Sequence, residues 1–213
     1  MKYTIGGIII FLLVWHGIAV ISNSFFLPTP QETIEAGIKM IDKIKSASTA
    51  TIGRIVIAFG AAAAIGIPTG LLLGKAEKVY RNIEPCIDFL RSIPATALFP
   101  LFMIIFGIGD LSKIIVAGFG AVLIIIFNTA SGVMNSGKAR VAAAKIHGAS
   151  IWQIFREVTF WESLPQTFVG LRIAISLTVA IVIVTEMFIG TNVGVGRMII
   201  DAQVVFNIPG MFA

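Results

Sequence analysis

Nucleophilic and metal-binding chemistry has few residues to use in this chain. Cys86 is the only cysteine, so there is no disulfide and no thiolate pair for a metal or redox centre. The two histidines, His16 and His147, are far apart and have no carboxylate or cysteine at ligand spacing, which predicts no metal site and no catalytic residue. The nearest approach to a phosphate-cradling loop runs from Gly70 to Ala76. It has three residues between its glycines, and alanine where a hydroxyl would meet Mg²⁺, so this chain is expected to bind no nucleotide or other cofactor itself.

Charged residues buried in apolar surroundings are the remaining candidates. Glu186 sits near the outer end of a long apolar run, where it could line a gate or pair with a basic residue on a neighbouring helix. Arg54, Arg91 and Arg172 also fall in or near such runs, where they could face a solute pathway or snorkel to lipid headgroups.

The elements that position these residues follow from composition. Of 213 residues, 57% are hydrophobic and only 13% charged, with a mean hydropathy of +0.96. A soluble domain carries roughly 25% charged residues, so this surface is made for lipid. The net charge of +5 lies in short clusters between apolar runs rather than on a continuous basic face, which argues against nucleic acid.

A bilayer core of ~30 Å takes about 20 helical residues. Five runs of that length occur, at 5–26, 52–74, 85–108, 111–133 and 165–189, and a sixth starts at 206–213. The expected fold is therefore all-α, a single polytopic membrane domain over 1–213. The first run is too long for a signal peptide and lacks a small-x-small cleavage site.

Lys75, Lys78 and Arg81 follow the second run, and Lys138, Arg140, Lys145 and Arg156 follow the fourth, while the loop after the third has only Lys113. Positive loops stay inside, so the N-terminus is expected to be cytoplasmic and the protein to reside in the cell (inner or plasma) membrane. Residues 28–50 then form an external connector. Ile34, Ile38, Met40, Ile41 and Ile44 recur at near-helical spacing there, as in an amphipathic helix on the membrane surface, although a solvated linker fits as well. In the second run Gly66, Gly70 and Gly74 at four-residue spacing predict close helix packing, beside a kink at Pro68.

The polar segment 138–164 is the long cytoplasmic stretch. Helix formers stop at Gly148, and Ile151, Trp152, Ile154 and Phe155 then make an apolar patch flanked by Lys145 and Arg156. Such a patch suits a groove on a soluble partner; an amphipathic helix on the inner leaflet is the alternative.

This segment resembles the loop of permease subunits of binding-protein-dependent ABC importers, E-A-A-x3-G-x9-I-x-L-P. Ala142, Ala143 and Ala144 occupy its first positions, Gly148 its glycine, and Val158, Phe160 and Trp161 its end. Alanine at 142 replaces the leading glutamate, and Trp161 replaces the proline. Leu164, Pro165 and Gly170 to Arg172 also fit, and 26–30 (FLPTP), 66–74 (GIPTGLLLG), 90–101 (LRSIPATALFPL), 106–110 (FGIGD) and 185–187 (TEM) are similar to the nitrate/sulfonate/taurine-type members.

The resemblance implies a type I importer-like permease fold, with Ala143, Ala144, Gly148, Ala149, Ser150, Ile151, Trp152, Phe155 and Arg156 coupling to an ATPase. It further implies two ATPase subunits carrying ATP and Mg, a second permease copy or homologue, and a periplasmic or lipid-anchored solute-binding protein. The implied substrate is a small oxyanion, with aromatic carboxylates or thiamine-precursor pyrimidines as alternatives. Competing readings are an ion-coupled secondary transporter or channel, and a degenerate permease acting as a scaffold. The family's unit has six spans, so the short sixth run implies a fragment or a degenerate subunit.

Overall fold

The computed structural model describes residues 2–188 and 190–213, apart from the side chains of residues 2–5 and 138. The expected end of the fifth span, Ile189, and the side chain of Lys138, at the start of the expected cytoplasmic segment, lie outside the described residues. In chain order the helices are α1 (Lys2–Ser22), α2 (Pro30–Lys39), α3 (Ile41–Lys75), α4 (Glu77–Ser92), α5 (Phe99–Phe106), α6 (Asp110–Met134), α7 (Lys138–Ile146), α8 (Ile151–Ile154), α9 (Phe160–Glu186), α10 (Val195–Val204) and α11 (Ile208–Phe212). No strand occurs among the described residues.

Among the described residues, three helical stretches are long and apolar enough to cross a membrane: Ile41–Lys75, Asp110–Met134 and the continuous Ile151–Glu186. A fourth crossing is available if Glu77–Ser92 and Ala95–Phe106, bent by 78°, count as one. α1 is apolar over Gly6–Ser22, at the short end of the spanning range. The five expected runs thus map onto α1, α3, the α4–α5 pair, α6 and α9.

The third run differs most from expectation, because it is broken rather than straight. Pro94 has no amide hydrogen and disfavours helical geometry at the preceding residue. Ile93 is accordingly extended, with φ −79° and ψ 123°, and a 3₁₀ turn over Ala95–Leu98 restarts the chain toward α5. The segment 206–213, expected to begin a sixth span, forms the five-residue α11.

The chain divides into two compact units. The first holds residues 1–51 and 186–213. Within it α2 starts on a capping box: Thr29 Oγ1 accepts from the Glu32 amide at 3.3 Å, and Glu32 Oε2 accepts from the Thr29 amide at 2.8 Å. The Thr29 amide and hydroxyl hold the Glu32 carboxyl below its usual range. The chain passes through Met40 into α3, so residues 28–50 contain one short helix and the first turns of a long one. Trp15 Nε1 donates to the Pro28 carbonyl at 3.0 Å, tying α1 to the turn before α2.

The second unit, residues 52–185, is built around α6. Ala58, Phe99, Val116, Ala117, Ile181 and Val182 form one buried cluster, and Ala62, Ala121, Ile125 and Ala174 form the next. Small residues let the backbones approach. A Cβ on Gly66 would fall 2.9 Å from Ile125 Cβ, one on Gly70 2.6 Å from Thr129 Cβ, and one on Gly74 2.6 Å from Val133 Cβ. Residues at i and i+4 lie on one helix face, so these three glycines continue the stripe of Ala58 and Ala62 against α6. α9 docks on α6 in the same manner, where a Cβ on Gly170 would meet Asn128 Cβ at 2.5 Å.

Candidate functional site

The segment between α6 and α9 is shaped by two local signals. α7 ends in a Schellman motif: Gly148 has φ +77°, its amide donates to Lys145 O at 3.0 Å, and the Ala149 amide donates to Ala144 O at 3.0 Å. The next residue starts a new helix. Ser150 Oγ accepts from the Gln153 amide, and Gln153 Oε1 accepts from the Ser150 amide at 2.8 Å. A π-helical turn over Phe155–Thr159 then joins α8 to α9.

This turn leaves large apolar side chains in the open on both sides of Gly148. Ile146 is 85%, Ile151 72% and Trp152 62% exposed, while Ala143 is exposed and Ala144 half-buried. Ile154 points inward and is buried. Trp152 stacks on Phe155 at 5.7 Å, and Lys75 Nζ lies 5.2 Å above the Phe155 ring, which holds α8 against the end of α3. Arg156 is exposed and pairs with Glu157 at 2.7 Å. Beneath the turn an open groove of ≈ 590 Å³ is lined by Lys75, Met134, Val141, Ala142, Ile151 and Phe155.

Glu162, which the sequence did not single out, holds the base of this segment. Glu162, at the start of α9, accepts from the Gly137 amide and pairs with Arg140 of α7. A carboxylate 22 positions after an arginine carries no local signal, so only the tertiary structure reveals the pair. Trp161, beside it, is exposed.

The ionisable candidates take four different environments. Glu186 is fully buried: Thr51 Oγ1 donates to its carboxyl oxygens at 2.9 Å, and the Gly196 amide donates to Oε2 at 3.0 Å. Thr51 Oγ1 in turn accepts from the Val195 amide at 3.0 Å. Gly194 leaves room for the carboxyl, since a Cβ there would fall 2.6 Å from Glu186 Cδ. The carboxyl thus sits at the N-terminus of α10, where free amides and the helix dipole favour negative charge. Thr51 and the Gly-Val-Gly at 194–196 were not foreseen; the glycine pair flanking a helix start was the available signal.

Arg54 is buried, and its Nε and Nη2 both reach Asp110 Oδ1 at 2.9 Å, with Lys113 Nζ 3.4 Å from the same atom. Arg91, just before the break at Ile93, pairs with Asp88 at 3.0 Å, and its guanidinium lies 4.1 Å over the Phe127 ring. Arg172 is exposed on α9. No group of three or more His, Cys, Asp or Glu side chains placed to hold a metal occurs among the described residues.

Comparison with known proteins adds to this geometry. Residues 66–213 match the family described as binding-protein-dependent transport system inner membrane component. The chain is 31% identical to the taurine transport system permease protein TauC of Escherichia coli, over 93% of this chain and 75% of that protein. It is 32% identical to the nitrate import permease protein NrtB of a Synechocystis species, over 72% of this chain and 55% of that one. In structure it is similar to a chain of the MetNI methionine ABC transporter in an inward-facing conformation, with a TM-score of 0.64 at 20% identity, covering 79% of this chain and 85% of the other. At that identity the likeness concerns the fold.

Proposed function

Since the chain belongs to the binding-protein-dependent transport system inner membrane components, we propose that it forms half of the membrane pathway of an ATP-driven importer for a small oxyanion. Taurine and nitrate, the solutes named for its relatives, support this chemical class. The observation that carries this reading is the capped turn at Gly148, which exposes Ile146, Ile151 and Trp152 on a segment between two spans. An apolar patch of this kind on a polar loop fits a cleft in a soluble partner.

In this reading two ATPase subunits hold ATP and Mg and dock on residues 138–164, a second permease copy or homologue completes the pathway, and a solute-binding protein delivers from outside. The Lys and Arg bias of the short loops supports a cytoplasmic N-terminus. ATP-driven closure of the ATPases moves α7 and α8, and the membrane helices transmit that movement to a central cavity. The ATPases must prefer one of the two permease states, because a partner binding both equally shifts nothing. Arg140 and Glu162 serve this by tying α7 to the base of α9.

Co-purification tests the reading. Affinity-tagged subunit, expressed with its ATPase, is expected to retain the ATPase, and Trp152→Glu to release most of it by placing a charge in an apolar contact. Equal retention by wild type and variant would refute docking at this segment.

A further inference from the structure

Building on the importer reading, we propose that Arg172 is the residue that meets the anionic group of the solute in the pathway. Of the four ionisable candidates, three have their side chains engaged within the subunit. Glu186 caps α10 with Thr51, Arg54 shares Asp110 with Lys113, and Arg91 is held by Asp88 and the Phe127 ring. Arg172 is exposed, and among the described residues its guanidinium has no ion pair, hydrogen bond or ring partner.

Its place on α9 sharpens the point. Arg172 lies seven residues, about 10 Å along the axis, inside the apolar run that begins at Pro165, and fourteen residues, about 21 Å, before Glu186. The opposite face of the helix is spent on the core, through Ala174, Thr178 and Ile181. The outward stripe carries Phe168, Val169, Arg172, Ser176 and Ala180, all exposed. Ser176, one turn further along, continues the polar character toward the middle of the span. A guanidinium turned toward acyl chains is costly, so ionisable groups in spans face a bundle interior or a water-filled cavity.

The chemistry of the group selects the ligand. Guanidinium offers a planar fork of donors that meets two oxygens of a sulfonate, nitrate or carboxylate at once. Lysine would keep the charge and lose the fork.

The test uses the assembled importer in proteoliposomes, with ATPase and solute-binding protein, and with Cys86 replaced by serine so that a new cysteine is the only one in this subunit. Arg172→Cys is treated with sulfonatoethyl methanethiosulfonate, which is anionic and does not cross membranes, and in parallel with membrane-permeant N-ethylmaleimide. Uptake of taurine and of nitrate is measured for wild type, Arg172→Gln and Arg172→Lys, with the amount of inserted subunit determined alongside.

The proposal expects the anionic reagent to modify Arg172→Cys and to stop uptake. It also expects KM for the imported anion to rise about tenfold or more in Arg172→Gln, with a smaller rise in Arg172→Lys. Modification by the permeant reagent alone, or a wild-type KM in Arg172→Gln, would overturn it. A wild-type importer without ATP-dependent uptake of either anion defeats the importer reading itself, whereas import by wild type beside an Arg172→Cys closed to the anionic reagent defeats this proposal only.

Discussion

Thr51 and Glu186 show how a single side chain can organise a distant segment. The threonine hydroxyl donates to the carboxyl of Glu186 and accepts from the Val195 amide, so it joins the first turns of α3 to the start of α10. Hydrogen bonds to charged groups contribute about 1.5–3 kcal/mol, and a buried acceptor left without its donor bears the full desolvation cost. Thr51→Val, nearly equal in shape, should therefore destabilise the protein by about 1–3 kcal/mol in chemical unfolding from detergent micelles. Glu186→Gln should cost a comparable amount, and the double variant less than the sum, because the residues share one network. Additive losses would mean that the two side chains act separately. None of this was legible in the sequence, where the partners lie 135 residues apart. Glu186 stood out by its charge alone, and its burial against a helix start is a tertiary fact. The same holds for Arg54, whose partner Asp110 is 56 positions away.

At the scale of elements, the packing of α3 on α6 depends on residues that have no side chain to move. A Cβ at position 70 would lie 2.6 Å from Thr129 Cβ and 2.9 Å from the Ile126 carbonyl, and the backbone cannot yield cheaply. Gly60, on the same helix, has nothing within 4 Å of the equivalent point. Gly70→Ala should lower stability by about 1–3 kcal/mol and reduce the thermal midpoint in detergent, whereas Gly60→Ala should leave it unchanged or raise it slightly through better helix propensity. Equal midpoints for the two variants would show that the helices are not in such close contact. The four-residue spacing of Gly66, Gly70 and Gly74 could be read directly, because one helical period puts all three on one face. The break at Ile93 could not, since the run 85–108 is long enough to span and proline is common in membrane helices, so Pro94 alone did not mark a break. The extension of α3 back to Ile41 was hidden for the opposite reason. Residues 41–51 mix Ile41, Ile44, Ala47 and Ala50 with charged and hydroxyl side chains and hold no glycine or proline, so hydropathy ended the span where the helix does not end.

For the whole molecule, hydropathy and the Gly148 turn carried most of what the sequence could say. Lipid as solvent forces long apolar helices, and their positions followed from length alone. The turn was legible because its chemistry is local: glycine supplies φ +77°, and Ser150 with Gln153 starts the next helix within five residues. What the sequence left open was which face the segment presents, and the structure answers with Ile146, Ile151 and Trp152 outward and Ile154 inward. The central claim is that this outward patch couples ATP hydrolysis to solute movement. It is tested most directly by ATP-dependent anion uptake into proteoliposomes containing the complete importer, comparing wild type with Trp152→Glu at equal amounts of inserted subunit. The account predicts uptake that needs hydrolysable ATP in wild type and falls at least about tenfold in the variant, the loss expected when a charge worth more than 1.4 kcal/mol is forced into an apolar contact. Uptake by Trp152→Glu at the wild-type rate, or wild-type uptake that proceeds without ATP, would contradict it.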